Sequence, residues 1–307
     1  MKFLKNLKNS GHFDRRFQKE FRTARITSHD PGKRCLSVAC MARNEGRYLR
    51  EWIEFHRLVG VEHFTFYDNG SNDNTAAVLA PYVRSGLVEV IPWPHFLPDC
   101  DTQALAYAHA LSHAGPSTRW LAFIDLDEYL FAPSGKPLPE VLSDYEDLPA
   151  LVVYWVMFGT SGHEEPVSGL RIEHFTRRAP IPSGPVKDPI LAKYKSIVQP
   201  KFVSRIRGVH DFVVNADGSV GFDENRNRIF KKRPHKVSVQ QIRINHYYTG
   251  SRSEWLSRFG RVAGPGSVVR DDFLNRAYEA VERCPVEDRE ILKYLPQLKR
   301  ALGEQTD

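Results

Sequence analysis

Arg34-Cys-Leu-Ser-Val-Ala-Cys-Met-Ala-Arg-Asn-Glu-Gly46 is an apolar run that breaks into a polar turn, and a helical pattern through Tyr48, Leu49, Trp52, Ile53, Phe55 and Leu58 follows it. A strand that hands over to a helix is the first βα unit. Gly60 ends the helix, and Glu62 to Tyr67 is a second strand. Asp68-Asn-Gly-Ser-Asn-Asp-Asn-Thr75 then forms a turn that caps a helix through Val78, Leu79 and Tyr82, closed by Gly86. Leu87 to Ile91, a helix over Thr102 to His113, and a strand over Arg119 to Ile124 complete the series. Repeated βα units imply an α/β fold: a mostly parallel, Rossmann-like sheet with helices on both faces.

Such sheets bind ligands beyond the carboxyl ends of their strands. That edge collects Arg43-Asn44-Glu45, Asp68-Asn69-Gly70 and Asp125-Leu126-Asp127-Glu128. No G-x-G-x-x-G follows the first strand and no G-x-x-x-x-G-K-[ST] occurs, so dinucleotide-binding and P-loop readings lose their main support. Asp125 and Asp127 stand two residues apart after the apolar entry Trp120 to Ile124, a spacing that points both carboxylates one way to hold a hard divalent cation. With Glu128, three carboxylates in four residues repel one another unless a cation or protons intervene.

The 307 residues, 41% hydrophobic and 26% charged with a mean hydropathy of -0.43, describe a folded chain without an apolar run of membrane-spanning length. Four cysteines (Cys35, Cys40, Cys100, Cys284) form no C-x-x-C pair, so neither a zinc site nor a disulfide framework is expected, and a reducing, cytoplasmic setting is. Positive charge concentrates in residues 1–34, which carry ten basic and three acidic side chains, while the rest sums to -1. A body without surplus positive charge or a nucleic-acid-binding signature is not expected to bind nucleic acid. The arm places Phe13, Phe17 and Phe21 at helical spacing among basic residues. It reads as an amphipathic segment that either touches an anionic membrane from the cytoplasmic side or packs on the body.

Cys40-Met-Ala-Arg-Asn-Glu-Gly46, Glu51-Trp-Ile-Glu-Phe-His56, Gly60-Val-Glu-His-Phe64, Tyr67 to Asp73, Trp120 to Tyr129 and Asn245-His-Tyr247 together resemble glycosyltransferase family 92 and its relatives in family 2, from about Cys35 to Arg261. The resemblance implies a GT-A fold, a nucleotide-sugar donor, a divalent metal (Mn2+ or Mg2+), and commonly inversion at the anomeric carbon; members of family 92 include galactosyltransferases that use UDP-galactose. It also implies that Asp68 contacts the nucleobase, that Asn69 replaces a second Asp, and that Arg43, Asn44 and Glu45 line the uridine side. Asp125 and Asp127 then meet ribose and metal, Asp127 directly.

Past Leu151 to Phe158, a buried strand, the pattern loosens. An inverting transferase needs a carboxylate base near the acceptor hydroxyl; Glu164 and Glu165, in the turn Gly159 to Pro166, and Asp211 are the candidates. His246, with His210 as runner-up, resembles the histidine that completes the metal shell in GT-A enzymes. Lys195 either meets the diphosphate or is solvated. Ser251-Arg-Ser-Glu254 reads as a capping box, with further helices over 271–284 and 286–302 after a Gly264-Pro-Gly266 break. The expected organisation is an arm over 1–34, a catalytic domain over 35–250 and a helical segment over 251–307. The expected activity is transfer of a hexose from a UDP-sugar to a glycan or cell-envelope saccharide. A nucleotidyltransferase releasing pyrophosphate and a non-catalytic nucleotide-sugar or carbohydrate-binding protein are the alternatives.

Overall fold

Alternation of side chains along the first strand sets the layering. In the computed structural model, β1 (Leu36–Ala42) sends Leu36, Val38 and Cys40 to one face and Ala39 to the other. The structure describes residues 34–94, 101–184, 191–214, 217–230, 236–262, 278–279, 281–282 and 286–303. The first face is covered by α1 (Gly46–Leu58) and α2 (Thr75–Arg84), which bury Trp52, Ile53, Phe55, Leu79 and Tyr82 against it. The second is covered by α3 (Thr102–His113), whose alanines and Tyr107 meet Ala39, Leu121 and Phe123.

β2 (His63–Asp68), β3 (Val88–Pro92) and β4 (Trp120–Phe123) join β1 in parallel, in the order β3-β2-β1-β4. Gly60, at φ 102°, closes α1 where a side chain would be strained. Beyond β4 come β5 (Glu128–Phe131), α4 (Leu138–Ser143), the fully buried β6 (Ala150–Met157) and the four-residue α5 (Arg171–His174). β7 (Tyr194–Val198) lies antiparallel between β4 and β6. The two-residue strands β8 (Gly221–Phe222) and β9 (Arg228–Ile229) extend the far edge, and β10 (Arg243–His246) pairs with β6 in parallel and with β5 in antiparallel sense. The sheet has ten strands.

α6 (Arg252–Val262) starts where Ser251 and Glu254 exchange capping hydrogen bonds. The tail departs from the helix expected over 286–302. Val286–Glu287 instead pairs with Arg177–Arg178 as a short strand, because Asp288 is drawn into ion pairs with Arg178 (2.6 Å) and Arg243 (2.8 Å). A 3-10 turn over Glu290–Tyr294 leads to α7 (Leu295–Ala301), which carries Pro296 in its first turn. Ile291, Tyr294 and Leu298 join the core that α1 shares with the sheet. The basic arm, the 264–266 break and most of 271–284 lie outside the described residues. Among the described residues, no helix is long and apolar enough to cross a membrane.

Candidate active site

The turns after β1 and β2 are sewn together by their own hydrogen bonds. Asn44 sits at φ 58°, a left-handed conformation that asparagine tolerates. Its backbone N–H donates to Ser71 Oγ (3.0 Å), and its side-chain oxygen accepts from the Asn72 N–H (2.8 Å). Asp73 accepts from the backbone of Gly46 and of Thr75, both at 3.0 Å. Gly46 permits this approach: a Cβ there would stand 2.0 Å from Asn74 Oδ1. Asp68 turns inward to accept from Ser71 N (3.1 Å), and Asn69 donates to the Trp93 carbonyl (2.8 Å).

Beside these turns lies a cleft of about 690 Å³, walled by Arg43, Asn44, Glu45 and Asn69 on one side and by Asp125, Asp127, Trp155, His210 and His246 on the other. Asp68 is not among its lining residues.

The two aspartates part company. β4 ends at Phe123, and the turn between β4 and β5 sends the carboxylates to different partners. Asp125 accepts from Lys195 Nζ (2.6 Å), Gln103 Nε2 (2.8 Å) and Tyr107 OH (3.3 Å). Asp127 lies 3.5 Å from His246 Nε2, and ligand atoms of Asp127, Glu128 and His246 all fall within 4.8 Å of one another. Among the described residues no other three His, Cys, Asp or Glu side chains converge so closely. Asp127 thus stands with Glu128 and His246, and Asp125 stands against Lys195.

Lys195 is not solvated. It is fully buried on β7, and its Nζ stands 3.6 Å from Glu128 as well as against Asp125. It is the cation that the crowded carboxylates required. Burial alone would lower its pKa, but Asp125 and Glu128 raise it, so it stays charged. Glu128 is pushed well above the usual carboxylate range, first by burial and then by Asp125 and Asp127, against the pull of Lys195.

His210 packs edge-on to Trp155 (5.3 Å) and is held neutral, its pKa pushed down to about 3 by burial and by Lys195. His246 rests on the same ring at 4.3 Å. Glu128 Oε1 and His246 Nδ1 are buried with no hydrogen-bond partner. Two carboxylates and an imidazole, with polar atoms left unsatisfied, fit a divalent cation that accepts mixed oxygen and nitrogen ligands.

The three carboxylates expected as bases separate. Asp211 is buried and accepts from Tyr194 OH (2.7 Å), away from the cleft lining. Glu164 and Glu165 are exposed beside the start of α6, near Arg252 (3.5 Å) and accepting from Ser253 (3.0 Å) respectively.

Four contributors escaped the sequence reading. Gln103 and Tyr107 are one turn apart on α3, a legible spacing once α3 is known to cover Asp125. Trp155 sits in an all-buried strand and looks like core. Arg171 has no local signal, yet its Nη1 donates to the Leu126 carbonyl between the two aspartates (2.9 Å).

A mostly parallel sheet thus carries a metal-compatible acidic cluster at its carboxyl edge. Residues 35–272 match the family model Glycosyltransferase family 92, and the chain belongs to that family. A family 92 protein of Oryza sativa subsp. japonica is 34% identical over 184 residues, covering 58% of this chain and 29% of the relative. One from Ricinus communis is 29% identical over 217 residues, covering 64% and 36%. Galactan beta-1,4-galactosyltransferase GALS1 of Arabidopsis thaliana is 29% identical over 103 residues, covering 32% and 21%. The chain thus spans about a third of the length of the curated relatives it matches. Among solved structures, S. aureus TarS 1-349 in complex with UDP-GlcNAc overlaps at 17% identity and a TM-score of 0.32, covering 44% of this chain and 37% of that one.

Proposed function

We infer that this chain carries out metal-assisted, inverting transfer of a hexose from a UDP-sugar to a glycan or cell-envelope saccharide. The observation that carries the reading is the Asp127–Glu128–His246 cluster, whose Asp127 and His246 line the cleft of a chain that belongs to glycosyltransferase family 92. The name of the galactosyltransferase relative favours galactose as the hexose.

In the reaction the acceptor hydroxyl attacks the anomeric carbon as the bond to the diphosphate breaks. UDP leaves with the electron pair, and the hydroxyl proton passes to a carboxylate. Asp127, Glu128 and His246 would hold a divalent cation, Mn2+ or Mg2+, which would supply positive charge for the departing diphosphate, worth several kcal/mol. Lys195 fixes Asp125 and sets the charge balance beneath the cluster. Arg43, Asn44, Glu45 and Asn69 offer donors and acceptors to the nucleoside, and Asp68 shapes the turn that presents Asn69. Glu164 and Glu165 remain the exposed carboxylates for the proton; the buried Asp211 serves structure.

The test is UDP release from a panel of UDP-sugars with and without Mn2+, repeated for Asp127→Ala with its fold checked by circular dichroism. Mn2+-dependent release that disappears in the folded variant supports the reading. Pyrophosphate release instead of UDP favours a nucleotidyltransferase, and binding without turnover favours a carbohydrate-binding protein.

A further inference from the structure

A second, smaller pocket of about 270 Å³ opens on the other side of Asn44 and Glu45, which line both it and the cleft. Its walls come from α1, the turn before α5, and α6. The size lies just below the range of about 300–1,000 Å³ typical of drug-sized ligands, so it suits one sugar ring and not an oligosaccharide.

The chemistry of the wall narrows the occupant. Two cations, Arg47 and Arg171, face two carboxylates, Glu45 and Glu254, with Asn44, Ser253 and Ser257 between them. Balanced charge favours neither a phosphate nor a metal ion. Interleaved donors and acceptors suit a neutral molecule whose hydroxyls do both.

These groups are also held in place. The Arg171 guanidinium lies 3.8 Å over the Tyr48 ring, and its Nε is buried without a partner. Tyr48 OH donates to Glu254 Oε1 (3.0 Å), while Ser251 donates to Oε2 from its backbone (2.8 Å) and its hydroxyl (2.9 Å). Burial pushes the Glu254 pKa up, but these bonds outweigh it and keep the group an anionic acceptor. Such fixed polar groups lower the ordering cost of binding a flexible polyol.

We propose that this pocket is the subsite for the terminal sugar of the acceptor, whose hydroxyl meets the donor on the Arg171 side of the pocket, toward Asp127. The proposal rests on the transferase reading for its role, but not for its ligand. Arg171 joins the two sites, because the side chain that lines the pocket also holds the Leu126 carbonyl beside Asp127.

The experiment measures binding of the β-methyl glycosides of galactose, glucose and N-acetylglucosamine by saturation-transfer NMR, alongside UDP binding by calorimetry and glycoside-stimulated UDP release. The variants are Ser257→Trp, which fills the pocket from an exposed position on α6, and Arg47→Ala. At least one glycoside should bind the wild type, and both variants should weaken it about tenfold or more, a loss of one hydrogen-bonded anchor or greater. UDP affinity should hold within about twofold, and in turnover the acceptor KM should rise while the donor KM does not. Glycoside binding lost in the variants, without UDP release in the wild type, would keep the pocket and remove the transferase reading. Absence of glycoside binding in the wild type, undiminished binding in folded Ser257→Trp, or an equal loss of UDP affinity would overturn the proposal; the last would give the pocket to the nucleotide.

Discussion

On one wall of the cleft, the turns after β1 and β2 are tied by hydrogen bonds that the side chains of Asn44, Ser71 and Asp73 accept from backbone N–H groups, and the residues there are partly exposed. On the other, Glu128 and Lys195 carry ionisable groups at zero exposure and Asp125 is one-third exposed. The first wall is a shaped surface that water already touches. The second holds buried charges that balance one another, so removal of the cation leaves the carboxylates uncompensated. The contrast separates two aspartates two residues apart: Asp125 pairs with the buried Lys195, and Asp127 stands beside His246.

The largest effect should come from the charged wall. Lys195→Met leaves Glu128 and Asp125 facing each other without their cation, and removal of one partner from a buried pair costs about 3–5 kcal/mol. Urea unfolding would read this as a lower midpoint with an unchanged slope. A midpoint within error of wild type would mean that Lys195 does not hold the wall together.

A comparable effect should appear in acid, from beneath β5. His56 donates from Nδ1 to the Trp52 carbonyl and accepts at Nε2 from the Leu130 N–H, so it is neutral in the fold; burial pushes its pKa down to about 3. The unfolded chain binds a proton below about pH 6.5 that the folded chain refuses. Stability from this group is therefore complete above about pH 6.5 and is lost as the pH falls toward 3, by about 5 kcal/mol in all. A wild-type stability profile steeper than that of His56→Gln between those limits is the expected outcome.

On the neutral wall, Gly46→Ala should cost about 1–3 kcal/mol by overpacking. The helix-propensity gain of about 1 kcal/mol is smaller than the clash with Asn74 Oδ1 and the Thr75 backbone. Thermal unfolding measures the first effect, and weaker UDP binding by calorimetry would follow if the turn shifts. A stabilised variant would show that the two turns are less tightly joined than their hydrogen bonds imply.

The same contrast separates what could be read in the sequence. The neutral wall follows from strand, turn and helix in order, and Thr102 to His113 is the helix found. The charged wall depends on pairing between distant segments: Lys195 reaches Asp125 across 70 residues because β7 inserts antiparallel between β4 and β6. Nothing near Lys195 in the chain distinguishes it from a solvated lysine. The tail misled for a related reason, since Asp288 answers to Arg178 and Arg243, which are remote in sequence.

The central claim is that Asp127, Glu128 and His246 form the cation site and Asp125 does not. Mn2+ titration followed by electron paramagnetic resonance, with UDP present, compares wild type, Asp127→Ala and Asp125→Asn directly. The account predicts one bound Mn2+ in the wild type and in Asp125→Asn, and its loss in folded Asp127→Ala. Retention in Asp127→Ala together with loss in Asp125→Asn would contradict it.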